Sequence, residues 1–461
     1  MARILAEETP QHIDQEVTVA GWVHAIRDHG KVLFIDLRDR SGLLQIVAGP
    51  WEKTAYEQLK SVGNEWVIQI EGKVVRRIER LINPDIVSGT VELQVKNVTV
   101  LNKSLVPPFE INNDTAGVEE EQRLQYRYLD LRTLRMHKHL IQRAKVVNFF
   151  RKTLSEAGFT EVETPLLTAS TPEGARDYIV PTRLGKNQFY ALPQSPQQYK
   201  QLLMVAGVER YFQIAKCLRD EDSRGDRQPE HTQLDIEMSF MTQNEILELV
   251  EELYKSMVLN LYPEKHFTAD PWPHLSYAEV MEKYGTDKPD LRRDKNDPNE
   301  LAFAWITDFP LFEYNDKEKR IEPMHHMFTM PRESDIPLLD TDPLKVTGQL
   351  YDMVCNGYEL ASGSIRIVDP AIQEKIFSII GMDLKTAHSK FGHMLTAFQY
   401  GAPPHGGIAP GIDRTMMILE NEPNIREVIA FPKTGEGRDP LMHAPGPVTA
   451  EQLAELNIKI G

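Results

Sequence analysis

Between Phe212 and Ser239 the chain reads FQIAKCLRDEDSRGDRQPEHTQLDIEMS, two strand-like runs around a loop crowded with charge. Arg219, Arg224 and Arg227 lie among Asp220, Glu221, Asp222, Asp226 and Glu230, and Pro229 closes the loop. Alternation puts Ala215, Cys217, Arg219 and Glu221 on one face of the incoming strand, with Phe212, Ile214 and Leu218 on the other. On the outgoing strand Asp235 and Glu237 share a face opposite Leu234 and Ile236. A sheet surface carrying both guanidinium and carboxylate groups suits a polyphosphate and its counter-cations, because the guanidinium fork matches phosphate oxygens. A salt-bridged hairpin with no ligand satisfies the same pattern. Partners elsewhere in the chain must decide between them.

Several polar clusters are candidates. STPEGARDY (170–178) reads as a loop with the carboxylate of Glu173 beside a flexible glycine, and PQSPQQYK (193–200) brings Gln197 and Lys200 to the start of a helix. MHHMF (324–328) pairs His325 with His326. Adjacent histidines on a strand point apart and no third ligand is near, so a zinc site is not expected. In YDMVCNGYELASGSIRI (351–367), Asp352 precedes Glu359 by seven residues and Arg366 follows. Were that stretch helical, the two carboxylates would lie two turns apart and could face one Mg²⁺. GIAPGIDRTMMILE (407–420) sets Gly411, Ile412, Asp413 and Arg414 at a glycine-rich turn entering a helix, where backbone N–H groups favour anions.

The elements that must position these groups fall into an α+β arrangement. Five period-two runs appear at 17–23, 32–39, 43–48, 66–75 and 91–101, with a helical stretch at 52–63 after the third. That order is expected of an OB-fold barrel. Leu33, Ile35 and Leu37 share one face, leaving Phe34, Asp36 and Arg38 on the polar face; Gln45 and Glu92 take polar faces of two further strands. An exposed aromatic beside an amide and a carboxylate suits stacking and edge-reading of unpaired bases, although a lone Phe also caps small surface clusters. Residues 102–122 mix Pro, Asn and acids as a linker would. Beyond them, Leu140, Ala144, Val147, Phe150 and Leu154 predict a helix ended by Gly158, with a strand following in FTEVETPLL. A second helix shows Ile246, Val250, Leu253 and Met257, and strands are expected near 210–219, 233–240, 303–306 and 358–368. The expected domains are 1–105, a linker at 106–122, and 123–461.

A formal charge of −16 argues against indiscriminate nucleic-acid binding. Residues 1–106, however, hold 13 Lys/Arg against 14 Asp/Glu, including a cluster of Lys73, Arg76, Arg77 and Arg80. A focused site is compatible with that balance. With 41% hydrophobic residues but no run approaching a membrane span, a large core without membrane insertion is expected. The N-terminus turns acidic by Glu7 and reads as no signal peptide, and Cys217 and Cys355 lack metal-ligand spacing, so the cytoplasm is expected.

Taken together these segments resemble the class II aminoacyl-tRNA synthetases, and most closely their bacterial-type aspartyl group, over nearly the whole chain. GFTEVETP (158–165), the charged hairpin and GIDR (411–414) resemble the three class motifs; TPEGARDY, QSPQQYK, ITDFP (306–310) and GSIRI resemble stretches particular to the aspartyl group. The resemblance implies an ATP-dependent aspartate–tRNA ligase and a homodimer through the Pro165 region, with Mg²⁺ required. It implies that Arg219 grips the ATP α-phosphate and Arg414 the γ-phosphate, with Asp220, Glu221, Gln228, His231, Glu359 and the 411–414 turn completing the nucleotide site. Asp352 and Glu359 would hold Mg²⁺. Arg366 would bind the side-chain carboxylate of L-aspartate, aided by Lys200, Gln197 and His325, and Glu173 would meet its ammonium. Phe34, Gln45 and Glu92 would handle the anticodon of tRNA-Asp.

The chain departs from that group in four places. GTDKPDLR (285–292) runs into LAFAWITDFP after only RDKNDPNE, so a large domain usual in bacterial members is missing. His231 stands where an aromatic ring usually stacks on adenine. Ala361 and Ser362 replace glycines. His29 resembles synthetases that charge both tRNA-Asp and tRNA-Asn, although Leu81–Ile82 lack the companion glycine. An asparaginyl-tRNA synthetase is disfavoured by Arg366 and QSPQQYK, an asparagine-forming relative by residues 1–106. A non-catalytic RNA-binding relative is disfavoured by the intact Arg219, Glu221, Asp352, Glu359 and Arg414.

Overall fold

Alternating apolar residues in the first hundred positions produce five strands: β1 (Glu16–Asp28), β2 (Leu33–Asp39), β3 (Gly42–Ala48), β4 (Val67–Arg76) and β5 (Val91–Asn102). The computed structural model describes residues 2–170, 174–185 and 188–459. In it these strands close into a barrel in the order β1-β2-β3-β5-β4, with α1 (Lys53–Lys60) between β3 and β4. Leu33, Ile35, Leu37, Leu44, Ile46 and Leu93 fill the interior, as their parity requires. Gly72 permits the barrel to bend where the β4–β5 register shifts, since a Cβ there would lie 2.2 Å from the Gln94 carbonyl oxygen.

One polar-face assignment needs correction. Arg38 is buried: its Nη2 donates to Glu65 Oε2 at 2.7 Å, and its Nη1 lies 2.8 Å from His24 Nδ1. Glu65 also accepts from Arg132 Nη1 at 3.0 Å, and the Arg132 guanidinium stacks over Trp22. Residues 106–135 belong to the first of two compact units, Met1–Arg135 and Met136–Gly461. Their anchor is the buried carboxylate of Asp130, which accepts from Thr115, Arg123 and Arg127.

The second unit is built on an eight-stranded sheet. β6 (Thr160–Glu161), β7 (Arg210–Leu218), β8 (Glu230–Ser239), β9 (His274–Ser276), β10 (Phe303–Thr307), β11 (Leu350–Cys355), β12 (Tyr358–Ile365) and β13 (His405–Ile408) lie in the order β9-β10-β11-β12-β13-β8-β7-β6. The central pairings are antiparallel; β9 and β6 add parallel edges. The strand expected through FTEVETPLL shrinks to Thr160–Glu161, with one further bond from the Val162 N–H to Phe212 O. The stretch from Asp352 to Glu359 is a β-hairpin, not a helix; Asp352 pairs with Ser362, Val354 with Glu359 and Cys355 with Tyr358, and Tyr351, Val354 and Tyr358 are types that suit a pleated surface.

Three helices cover one sheet face. α2 (Leu134–Glu156) contributes Val146, Phe150 and Leu154; α4 (Gln243–Leu261) contributes Ile246, Val250 and Tyr254; α5 (Ile412–Leu419) contributes Ile412 and Met416, with α3 (Gln197–Val205) lying earlier in the chain. Against them pack Phe212, Leu234, Ile236, Trp305 and Met353. Thr242 starts α4 through a reciprocal cap with Glu245. The other face of β7 and β8 therefore carries Ala215, Cys217, Asp235 and Glu237. Among the described residues no helix is long and apolar enough to cross a membrane.

Replacing Glu65 with alanine leaves Arg38 buried without its anion, which costs about 3–5 kcal/mol. Urea unfolding of Glu65→Ala followed by tryptophan fluorescence should show the first transition displaced to lower urea. An unmoved transition would show that the ion pair adds nothing.

Candidate active site

The polar face of β7 and β8 opens into a cavity of about 370 Å³ between the charged hairpin, β12 and the start of α5. Its floor is made of four charges. Lys200, one turn into α3, is 2% exposed and donates to Asp235 Oδ1 at 2.6 Å, with Glu237 Oε2 at 3.4 Å. Arg366, just past β12, donates from Nε and Nη2 to the two oxygens of Glu237 at 2.9 and 3.2 Å. Its Nη1 donates to Ser364 Oγ and lies 2.7 Å from His326 Nε2. Burial pushes the Glu237 carboxyl up, yet Arg366 and Lys200 outweigh it and hold the group below its usual range. Burial and the Arg366 charge hold His326 well below an ordinary imidazole, hence neutral.

The opposite end holds Arg219 and Arg414. Among the described residues the Arg219 side chain makes one hydrogen bond, from Nε to Gln194 O at 3.4 Å, which leaves its fork open to the cavity. Arg414 is braced: Nε donates to Asp226 O, Nη1 to Glu359 O at 2.8 Å, and Nη2 pairs with Asp226 Oδ2 at 3.2 Å. Glu221 pairs with Arg227 at 2.7 Å and still lines the cavity. Asp220 is turned outward to Arg176. Between the two ends, Gln197 and Gln228 line the cavity, and their buried amide nitrogens have no hydrogen-bond partner among the described residues. Gln228 is oriented by the Lys433 N–H, which donates to its Oε1.

Asp352, on β11, is buried beside Glu359 with Oδ1 unpartnered. Burial first, and then the Glu359 charge, push its carboxyl well above the usual range, while the Ser362 hydroxyl pulls the other way. Two neighbouring carboxylates, one of them buried, are a donor set a hard cation takes, and Mg²⁺ is held by one or two carboxylates plus substrate oxygens. Among the described residues no group of three or more His, Cys, Asp or Glu is placed to hold a metal by itself.

Not every expected residue lies where its expected role needs it. His325 stands 2.9 Å from Ser362 Oγ and 3.7 Å from Asp352 Oδ1, so it faces the carboxylate pair; the histidine on Arg366 is His326. The parity that turns the two rings apart was legible, but not which ring meets the arginine. Ile412 buries its side chain in the core, and Gly411 N–H is used by Leu360 O at 2.7 Å. Asp413 spends both oxygens on Arg143 and the Thr232 N–H, which makes it a brace between α5 and β8. Glu173 lies outside the described residues. Asp235, Glu237, Gln194, Ser362 and His326 were not singled out as site residues; the alternation on β8 was the one signal for the first two.

In the first unit, Gln45 Nε2 donates to Glu92 Oε2 at 2.8 Å, and Arg27 pairs with Asp36. The His29 ring meets the edge of Phe34 with centroids 5.5 Å apart, so Phe34 is half-buried, not fully exposed. These residues form one outer patch of the barrel.

His231 lines the cavity with Arg219 and Arg414 facing it, Asp413 behind it and Gln233 beside it. Burial and then the Arg219 charge lower its imidazole to about 4. An unfolded histidine titrates near 6.5, so the native state binds fewer protons between these values. The contribution is fully present above pH 6.5 and is lost as pH falls toward 4, amounting to about 3 kcal/mol. His231→Phe should therefore flatten part of the acid-side fall in thermal midpoint, the rest remaining with other buried histidines. Superimposable pH profiles would contradict it.

Comparison with known proteins gives this geometry its relatives. The profile described as tRNA synthetases class II (D, K and N) matches residues 119–435, and that of the OB-fold nucleic acid binding domain matches residues 17–101. An aspartate–tRNA(Asp/Asn) ligase of Rubrobacter xylanophilus is 48% identical, covering 97% of this chain and 95% of that protein. An aspartate–tRNA ligase of Staphylococcus haemolyticus is 38% identical, covering 98% of each. The Rubrobacter alignment runs over 572 positions, more than this chain's 461 residues, so that relative carries residues with no counterpart here. Among solved structures, asparaginyl-tRNA synthetase from Pyrococcus horikoshii with asparaginyl-adenylate aligns with a TM-score of 0.76 at 22% identity, covering 94% of this chain and 98% of that one. Aspartyl-tRNA synthetase from Entamoeba histolytica aligns at 0.73 and 23%, covering 94% and 91%. At these identities the structures attest the fold alone. With the profile spanning most of its length and relatives 38% and 48% identical over nearly all of it, the chain belongs to the class II tRNA synthetases of the D, K and N group.

Proposed function

We propose that this chain activates L-aspartate with ATP to aspartyl-adenylate and transfers the aspartate to the 3′ end of tRNA-Asp and of tRNA-Asn. The observation that carries the substrate assignment is the Lys200–Arg366 floor. After their bonds to Asp235, Glu237, Ser364 and His326 are counted, one N–H remains on Arg366 Nη2 and one on Lys200 Nζ. Two cationic donors suit a side-chain carboxylate; an asparagine amide would turn its own N–H₂ against one of them, a mismatch costing about 1.5–3 kcal/mol. Asp235, which opens on the cavity, offers a counter-charge to the substrate ammonium, a role the family resemblance gives to Glu173.

With the side chain held there, the α-carboxylate of aspartate points toward Arg219. In-line attack on the α-phosphorus needs positioning and neutralisation of charge, with no covalent bond to the protein. Arg219 meets the α-phosphate, and Arg414, fixed by Asp226 and Glu359, meets the far phosphates. His231, Gln228 and Glu221 flank the adenosine. Asp352 and Glu359 fit Mg²⁺, which when bound supplies Lewis-acid stabilisation of phosphate charge. Residues 1–105 serve the anticodon through Phe34, Gln45 and Glu92, with His29 against Phe34 supporting acceptance of both tRNAs; residues 123–461 perform the chemistry. The name of the Rubrobacter relative supports the dual tRNA range. The exposed Leu166 and Leu167 beside Pro165 support a homodimer interface, and tRNA substrates with two buried cysteines outside any disulfide support a cytoplasmic location.

Aspartate-dependent ATP–pyrophosphate exchange tests the reading. Wild type should exchange with aspartate and not asparagine, and Arg366→Ala should lose kcat/KM for aspartate by ~100-fold or more. An Arg366→Ala enzyme as active as wild type would overturn the aspartate assignment. Charging assays should load both tRNAs; tRNA-Asn left uncharged would narrow the function to tRNA-Asp. The Mg²⁺ assignment has a separate readout. Without divalent ions Asp352→Asn should unfold at higher temperature than wild type, because it removes a buried carboxyl whose ionisation the fold opposes. The rise in midpoint that MgCl₂ with ATP gives wild type should be absent in the variant. A full rise in Asp352→Asn would assign the metal elsewhere.

A further inference from the structure

Gln194 precedes α3 and is buried, 3% exposed. Its side-chain amide pairs with Ala175 as a neighbouring strand would: the Ala175 N–H donates to Oε1 at 2.9 Å, and Nε2 donates to the Ala175 carbonyl at 2.8 Å. Nε2 also donates to Asp177 Oδ1 at 2.5 Å. A carboxamide carries the acceptor and the donor on two separate atoms, so it can serve the N–H and the C=O of one residue at once. The main chain of the same residue works in the other direction. Gln194 O accepts from Arg219 Nε at 3.4 Å, and the preceding Pro193 O accepts from the Leu218 N–H at 3.0 Å. A second tie runs alongside: the Asp220 N–H donates to Arg176 O at 3.0 Å, and Arg176 Nε donates to Asp220 O at 3.3 Å.

Gln194 is thus the point where the segment at 174–178, the strand bearing Arg219 and the cavity wall meet. We propose that Gln194 is a positioning residue that couples the two substrate subsites: the chain runs from it directly into α3, which carries Lys200 of the amino-acid floor, while its carbonyl aims Arg219 at the phosphate, so that both depend on the 174–178 segment its side chain holds. This rests on the aspartate-activation reading above. A residue serving one subsite would need only its side chain or only its carbonyl. The use of both, from one buried residue, is what joins them, and such coupling through packed hydrogen bonds acts reciprocally on the two ligands.

Two variants and a rescue test it in pyrophosphate exchange. Gln194→Met keeps the length and suits a buried position, but removes every side-chain bond. It should raise KM for aspartate and for ATP together, each by ~10-fold or more, with a near-wild-type thermal midpoint. Gln194→Glu keeps the Ala175 N–H bond and sets its carboxylate against Asp177, so it should show the same double loss. Adding Asp177→Asn turns that contact into an amide–carboxylate hydrogen bond and should recover both KM values in part, while it recovers nothing in Gln194→Met. Wild-type KM values in Gln194→Met, a rise confined to one substrate, or a Gln194→Glu loss that Asp177→Asn leaves untouched would each overturn the coupling. Wild-type protein that exchanges no pyrophosphate would overturn the activity reading, and the coupling with it.

Discussion

Four charges without water set the terms for the second unit. Lys200, Asp235, Glu237 and Arg366 come from a helix, from one strand and from the end of another, and each is buried. Any one of them alone would be costly, by several kcal/mol, so none can be placed without the others. That requirement sets the register of β8: a slip by one residue would turn Leu234 and Ile236 into the charged cavity and Asp235 and Glu237 into the apolar layer. The charges thus specify the fold that presents them, and they leave two donors unsatisfied toward the ligand.

The rest of the cavity follows a gradient of compensation. Its floor is nearly neutral in sum, so discrimination there comes from the direction of donors more than from net field. At the other end Arg219 has one weak protein contact while Arg414 has several, which makes one guanidinium adjustable and the other a fixed wall. The Asp352 carboxyl, raised by its burial and by Glu359, is held in a place where folding alone gains nothing from it.

Alternation along β7, β8 and the barrel strands was legible because a pleated strand assigns faces by parity, with no knowledge of partners. It put Asp235 and Glu237 together, and Leu33, Ile35 and Leu37 inside. Burial was not legible, since that depends on Lys200 and Arg366, 35 and 129 residues from their partners. Arg38 misled for the same reason: its parity was right, but Glu65 and Arg132 cover it. The stretch from Asp352 to Glu359 was open to a helical reading because a seven-residue spacing fits two helical turns, and only the sheet on either side settles it as a hairpin. The role of His326 turned on which of two adjacent rings faced a distant arginine.

The short bridge at 285–299 bears on how the sheet assembles. It joins the helix Tyr277–Tyr284, which follows β9, to the strand run entering β10, and β9 and β10 pair in parallel along the sheet edge. Glu300 accepts from the N–H groups of Arg293 and Asp294, so the bridge carries its own local ties. Closing a loop costs entropy that grows only logarithmically, about 0.6 kcal/mol for each doubling of length. A whole domain in place of this bridge would therefore add little to the cost of bringing the two strands together. The edge of the sheet is a point of topological tolerance, where large pieces of chain can be gained or lost while the other six strands, with the charged floor on β8, keep their register.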